Sequence, residues 1–466
     1  MASVAEADDG INLCGRSLDV VILERMREEA RKTYKAVAEA LDEWLFRHRP
    51  AGLCVEHKRL VWYKTVLGRV HVMRRQYRDK AGAYRYLLDE FLGVRKYLKT
   101  TLKLVELVAD LVTQMTFRRS AEVLDKTTPL HLSAQSLLNL LERVAAPYIE
   151  EGEAKVREFL ETGALPEAEG RKAAQVLVEA DGVYLSLQRE KQRKAEVKTV
   201  IGYEGWWKEG KSRYRTLNKF SYADVASSDE CWASISLRLQ QRYGEGGMGR
   251  LIVGGDGAPW IREGADYLGG IFQLDHYHLN REITLALGRD RASVDLVREA
   301  CRHGDLVTAL DRLSEVRAKM RGEAAKRVGR LYRYLVDNRA GLRDYRLDLG
   351  EQGKTLRSTG AIEGNVDKLV VKRMKNQGMN WTIRGIRRML CIRLLRLEGK
   401  LPDRLRADSG GHGPPVVPRS SVERLMPRAA KRGSIDYWQV GLPALNGPHP
   451  NRPWVTYLRS LTRTSA

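Results

Sequence analysis

Apolar residues at helical spacing run from about residue 18 to 48, where Val20, Leu23, Met26, Ala30 and Tyr34 stand between charges, and this pattern predicts an amphipathic helix. The period then changes. Residues 59–78 read as two strands broken near Gly68, a hairpin with basic outer positions. A helical stretch follows from about 83 to 146. Within it, TFRRSAEVL and SAQSLLNLLERV flank a turn at Thr127–Pro129, with Ser133 placed to cap the second helix. That arrangement suits a helix-turn-helix unit as well as two ordinary packed helices, and Arg118 and Arg119 would serve phosphates in the former. Residues 151–172, with GALPEAEG, are expected to form a linker.

From 174 the pattern becomes α/β. AQVLVEADGVYLSLQ reads as a buried strand, and EVKTVIGYEGWW and RYRTLNKFSYADV as two more at hairpin spacing. SSDECWASISLRLQQRYG is an amphipathic helix with a Ser/Asp start. RLIVGGDGAPWI is a short apolar strand ending in a Gly-rich turn, and GGIFQLDHYHLNREITLALG runs from strand into helix. Three strands in series, a helix, a strand and a further strand-helix pair is the order of a ribonuclease-H-like α/β core with a mixed sheet. Residues 290–345 are helical throughout and read as an insertion at about 288–350. Two helices split near Gly378 follow. The expected organisation is a mainly helical DNA-binding region over 1–150, the linker, a catalytic domain over 173–400, and a basic tail over 401–466. That tail holds nine of the fourteen prolines and is expected to be partly disordered.

Composition narrows the partners. With 81 Lys and Arg against 59 Asp and Glu, the chain carries a formal net charge of +22, a field that favours polyanions. No apolar run approaches the roughly 18 residues that span a bilayer, and the acidic, small opening Met1–Gly10 is unlike a signal peptide. A membrane partner is therefore not expected, and nucleic acid is preferred. Cys14, Cys54, Cys231, Cys301 and Cys391 are scattered without a CxxC pair, which argues against a disulfide framework or a Cys-type zinc site and fits reduced, cytoplasmic thiols.

The candidate chemistry is acidic. Asp181 follows the apolar VLVEA, where a carboxylate is costly unless paired or bound to metal; alone it reads equally as a turn residue ahead of Gly182. Asp256 repeats the arrangement after LIVGG. Two strands of one sheet, each delivering an Asp-Gly at its end, would bring their carboxylates close enough to share hard cations, Mg²⁺ or Mn²⁺. Glu363 opens a helix after RSTGA, and Asp367 lies four residues on along the same face; either is also simply a favourable acid near a helix start. Three such carboxylates are what two-metal phosphoryl transfer uses.

Together, VEADGVYL, GGDGAPWI, LDHYHLNREI and GAIEGNVDKLVVKRMKNQGMNW resemble the ISLre-type transposases of bacterial insertion sequences, related more loosely to Mutator-like transposases. The resemblance runs from about 55 to 400 and includes LGRVHVMRRQYRD and YLLDEFLG. It implies an Asp, Asp, Glu triad on a ribonuclease-H-like fold. Carried over, the triad falls on Asp181, Asp256 and Glu363, holding two Mg²⁺ (or Mn²⁺) ions. It implies cleavage and strand transfer at terminal inverted repeats of double-stranded DNA, joining to target DNA, a homo-oligomer that pairs two ends, and a nucleoid-associated bacterial location. Asp275 and His278 match a two-residue-gap element that Mutator-like enzymes carry after the second Asp, which suggests a role beside the active site; a surface His near a helix start is the other reading. Lys372, Arg373, Lys375, Arg384, Arg387 and Arg388, with Trp381 between them, suit a DNA-backbone track with a stacking platform, or else a solvated basic helix face with Trp381 in the core. Rival functions are a domesticated DNA-binding relative without catalysis and a ribonuclease-H-like, structure-specific nuclease.

Overall fold

A computed structural model describes residues 18–407, except 95–98, 212, 289, 352, 354–355 and 377, together with Ser420. The elements run α1 Leu18–Arg47, β1 Cys54–Thr65, β2 Gly68–Arg78, β3 Tyr84–Arg85, α2 Leu87–Phe91, α3 Leu102–Val112, α4 Phe117–Thr127 and α5 Ala134–Thr162. They continue with β4 Ala173–Ser186, β5 Lys194–Tyr203, β6 Trp206–Lys208, β7 Tyr214–Thr216, β8 Phe220–Asp224, α6 Ser228–Tyr243, β9 Met248–Gly255, α7 Pro259–Leu268, β10 Ile271–Leu274 and α8 His276–Leu287. The helices α9 Arg291–His303, α10 Leu306–Ala318, α11 Gly322–Asp337, α12 Ile362–Val366, α13 Ile383–Leu397 and α14 Leu401–Ala407 complete the chain. Directly after α12 the backbone winds into π-helical turns over Asp367–Lys375. No helix among the described residues is long and apolar enough to cross a membrane.

The chain divides into two compact units, one of residues 1–108, 118–133 and 402–466, the other of 109–117 and 134–401. In the first, the expected long helix and hairpin both form. The hairpin turns at Val66–Leu67, with Thr65 paired to Gly68. Gly68 holds a φ of +112°, which a side-chain-bearing residue would resist. Ala38, Leu41 and Leu45 of α1 pack on Tyr63, Val70 and Val72 of the hairpin and on Leu87 and Leu88 of α2. Glu39 and Asp42 of α1 accept from the amides of Met73 and Arg75, each at 3.0 Å, so the helix covers the free edge of β2.

The second unit holds a mixed five-stranded sheet in the order β10-β9-β4-β5-β8. β4, β5 and β8 form an antiparallel meander, while β9 and β10 run parallel to β4. Alternation along β4 separates its two faces. Val176, Val178 and Ala180 pack with Cys231, Trp232, Ile235 and Leu239 of α6 and Ile261 and Ala265 of α7. The opposite face meets α12, while α13 packs against β8 and α5. Ser227 starts α6 with a reciprocal capping box to Glu230. Residues 276–342 form their own apolar cluster around Ile283, Val297, Leu313, Val328 and Leu335, and their helices α9–α11 are the expected helical block.

Several expectations change. Residues 151–162 are not linker: they finish the 29-residue α5, whose Leu137, Leu140, Leu141 and Val144 are buried, so tertiary packing carries the helix past the last apolar turn. The two helices of the expected helix-turn-helix form, but α4 from Arg118 on and α5 fall in different compact units. RYRTLNKFSYADV is two strands, because Tyr214–Thr216 pairs with Trp206–Lys208 and only Phe220–Asp224 joins the main sheet. The strand bearing Asp181 does not end there but continues to Ser186. The expected tail beyond Ala407, Cys14 and the opening Met1–Gly10 lie outside the described residues, apart from Ser420.

Candidate functional site

Sheet register brings the first two acids together. Ala180 of β4 pairs with Gly255, the last residue of β9, so Asp181 and Asp256 are the next residues along two neighbouring parallel strands. Asp181 is interior to β4 because Thr199 of β5 still pairs with it on the other side. Asp256 stands where β9 stops. Its Oδ1 accepts from the amide of Ala258 at 3.0 Å, an Asx turn that leads into α7 at Pro259. Gly257 holds a φ of +91°, and a Cβ there would lie 2.4 Å from Asn338 Oδ1, so the Asp-Gly pair is required by both backbone and space.

The neighbouring strand supplies a third acid. Asp275 follows β10, donates its amide to Gly255 O at 2.7 Å, and caps α8 by accepting from the amides of Tyr277 (2.7 Å) and His278 (3.0 Å). His278 Nδ1 lies 3.4 Å from Asp275 Oδ1. Tyr334 of the helical block donates its hydroxyl to the backbone carbonyl of Asp256 at 2.7 Å, which fixes the main chain at this strand end.

Glu363 arrives from 107 residues beyond Asp256, in the first turn of α12. The device that holds it is a residue that the sequence pattern did not single out. Glu179 is buried two positions before Asp181, on the same face of β4. One of its oxygens accepts from the Tyr203 hydroxyl. The other accepts from the amides of Gly360 and Ile362, both at 2.9 Å. Gly360 holds a φ of +127°. This buried carboxylate therefore ties the loop ahead of Glu363 to the strand that carries Asp181. A glutamate inside the apolar run VLVEAD was the only trace of it in the sequence.

The electrostatics follow from crowding like charges in a partly dry place. Burial, then the adjacent Asp256 carboxylate, push the Asp181 carboxyl up to about 6, with Glu363 adding to the effect against the Gly182 amide and His278. Burial raises Glu179 as well, against its three hydrogen bonds. Asp275 goes the other way: burial would raise it, but His278 and the two amides it caps outweigh that and hold it low. The nearby Asp275 carboxylate raises His278, against burial, and the charges of Asp256 and Asp181 reinforce it.

The closest-knit group of ligand-type atoms among the described residues is Asp275, His278 and Glu363, all within 4.8 Å of one another. The Asp256 and Glu363 carboxylates both act on Asp181, and Asp256 and Asp181 both act on His278, so the two strand-end aspartates stand near that group. Asp367, the competing carboxylate, pairs instead with Lys372 at 3.0 Å. Glu363 Oε1 is buried and has no hydrogen-bond partner. An orphaned buried carboxylate oxygen, beside two carboxylates that repel each other, is a set of hard donors that fits a divalent cation.

The basic segment departs most from expectation. Arg373, Arg388 and Trp381 are buried. Arg373 donates to Val112 O at 2.7 Å and lies over the Trp381 and Phe117 rings, and Trp381 donates to Met374 O at 2.8 Å. Arg388 pairs with Glu142, and Arg387 bridges Asp224 and Glu153. A DNA track through these four is not what the packing presents, since three of them are buried and Arg387 is held between two carboxylates. Lys372, Lys375 and Arg384 remain at the surface, as do Arg118 and Arg119; Arg119 pairs with Glu122 at 2.8 Å.

Comparison with known proteins gives the family. The model of the uncharacterised protein family UPF0236 matches residues 6–408. The chain belongs to this family. Among similar relatives is a UPF0236 protein of Caldanaerobacter subterraneus subsp. tengcongensis, 25% identical over 392 residues that cover 81% of this chain and 78% of the relative. Another from that bacterium, 25% identical over 380 residues (79% and 75% covered), has a name that joins multiple locus labels of the one organism. A Streptococcus gallolyticus UPF0236 protein, named for its place in a vanSb 3′ region, is 27% identical over 348 residues, 72% of each chain.

Proposed function

We propose that this UPF0236 member is a DDE-type DNA transposase that cuts and joins DNA at the ends of an insertion sequence, with Asp181, Asp256 and Glu363 as its catalytic carboxylates. The observation that carries the reading is the register of β4 against β9, which sets Asp181 and Asp256 side by side at neighbouring strand positions. The sheet order, an antiparallel meander followed by two parallel strands added on the far side of its first strand, supports a ribonuclease-H-like core. Several loci for one relative in one bacterium fit a mobile element.

Asp181, Asp256 and Glu363 would hold two Mg²⁺ or Mn²⁺ ions, with Asp275 and His278 beside them. Bound there, such ions supply an activated hydroxyl and charge neutralisation at the leaving oxygen of an in-line displacement. The chain's own groups supply the rest. Glu179 sets the reach of Glu363. Beside Asp275, His278 would offer a ring N–H to a phosphate oxygen of the bound DNA. The partner is double-stranded DNA, and pairing of two ends calls for a homo-oligomer.

Incubation of the protein with Mg²⁺ or Mn²⁺ and DNA carrying its element's ends tests this. Joined products are expected, lost in Asp181→Asn and Asp256→Asn while DNA binding persists. Cleavage of junctions or hybrids without any joining would favour the structure-specific nuclease. Binding without cleavage in the wild type would favour a domesticated DNA-binding relative.

A further inference from the structure

We infer that the outward face of the β1–β2 hairpin is a contact surface for the phosphate backbone of duplex DNA, an assignment that rests on the proposed DNA substrate but not on the carboxylate site. From His57 to Arg78 the chain contains no acid and seven Lys or Arg residues. Their fates differ. Arg74 meets Asp89 at 3.0 Å, Arg75 meets Asp42 at 2.6 Å, and Arg78 meets Glu56 at 3.4 Å. Lys58, Arg59 and Arg69 are exposed and have no carboxylate partner among the described residues.

Strand alternation assigns the faces. Tyr63, Val70 and Val72 point into the core shared with α1. Lys58, Leu60, Trp62 and Lys64 of β1 therefore share the opposite face with Arg69 and His71 of β2, where Lys64 pairs with Arg69 and Trp62 with His71. Three cations converge on one ring: Lys99, Arg69 and Lys64 lie 5.2, 5.3 and 5.8 Å from the centre of Trp62. Lys99 is brought there by the backbone. Its carbonyl accepts from Lys64 N at 2.7 Å, and Lys99 itself takes a φ of +48°, a conformation that costs a lysine energy.

Arg69 and Lys99 are both exposed, and crowding their like charges around one ring is unfavourable unless a polyanion neutralises them. The ring holds the cations in a fixed array, and a two-stranded ribbon fits the major groove of B-DNA between its phosphate walls. An anionic membrane is the weaker match, since Leu60 is the only large apolar side chain well exposed on this face and an inserted face needs more.

The test uses the full chain, a labelled duplex of arbitrary sequence, and binding anisotropy across a salt series. Arg69→Ala with Lys99→Ala should weaken binding and lower the slope of log K against log salt by about 2, at roughly 0.9 per lost phosphate contact. Trp62→Leu, which keeps every charge but releases the array, should weaken binding with a smaller change in slope. Lys326→Ala with Arg327→Ala, removing two exposed charges from α11, should leave both unchanged. Equal loss in the α11 variant would show binding by net charge alone and overturn the inference. Wild-type binding by the hairpin variants, with unaltered melting, would overturn it while leaving the proposed function intact. Loss of binding to phosphatidylserine vesicles but not to duplex would also overturn it, in favour of a membrane surface. Failure of the wild type to bind duplex would sink both readings.

Discussion

Two stretches of this chain are equally basic to the eye, the hairpin from His57 to Arg78 and the segment from Lys372 to Arg396, yet the fold uses them in opposite ways. In the second, Arg393 is buried and donates to the carbonyls of Leu369 (2.6 Å), Lys368 and Thr113, while Arg396 pairs with Asp110. Burial pushes Arg393 and Arg373 down to about 10, so both stay charged inside the protein at neutral pH. Those cations are structural: they satisfy carbonyls of the π-helical turns and of residues 109–117. On the hairpin, Arg69 lies over the Trp62 ring and has no carboxylate partner among the described residues. What a charge is paired with, rather than how densely charges cluster in the sequence, decides its role. The acids divide the same way, between Glu179 with three donors and Glu363 with an orphaned oxygen.

The largest expected effect follows from the partnered cations. Arg393→Ala removes the donor from three carbonyls, two of them buried, and should cost about 3–5 kcal/mol, with no change in the salt slope of DNA binding. Chemical denaturation checks the first part and the salt series the second. A stable variant with a reduced slope would place Arg393 with the hairpin cations and break the comparison.

Glu179→Gln comes next. The amide keeps one acceptor oxygen, so at least one donor among Tyr203, Gly360 and Ile362 loses its partner, at about 1–3 kcal/mol. DNA binding should persist and joining should fall, since the mutation acts through the position of Glu363. Unchanged joining would mean the loop is held by other contacts.

The third effect has the opposite sign. Asp181 sits at about 6 in the fold against an ordinary 3.8, so the folded state resists its ionisation. Stability is then full below about pH 4, falls as pH rises from about 4 to about 6, and stays at its lower level above that. Asp181→Asn removes that penalty: melting temperatures should match the wild type near pH 4 and exceed it at pH 8, by up to about 3 kcal/mol. Mg²⁺ or Mn²⁺ should stabilise the wild type at pH 8 and the variant less. A variant that melts lower than the wild type at pH 8 would mean that Asp181 is partnered after all.

Much of this was legible beforehand for a local reason. The long first helix, the hairpin turn at Gly68, the Ser-capped α6 and the helical block are each set by periodicity and by caps within a few residues. The strand-helix order predicted the mixed sheet. The errors share one cause as well. Asp181-Gly182 has the composition of a turn, but β5 pairs straight past it, and the missing Cβ of Gly182 makes room for the Glu196 carboxylate. Asp367 lies on the same ideal helical face as Glu363. Yet the backbone widens to π turns at Asp367, whose carboxylate meets Lys372 instead.

The sequence by itself determined the elements, the basic excess, the two Asp-Gly pairs and the candidate third acid, because each is written in neighbouring residues. Only the tertiary structure decided which charges are spent and which are free. Glu179 reaches amides 181 and 183 residues away, Arg393 reaches a carbonyl 280 residues away, and Lys58, Arg59 and Arg69 of the hairpin meet no carboxylate among the described residues. Desolvation makes those choices. A charge that the fold buries must find its partners across the chain, and one that the fold leaves outside keeps its field for another molecule.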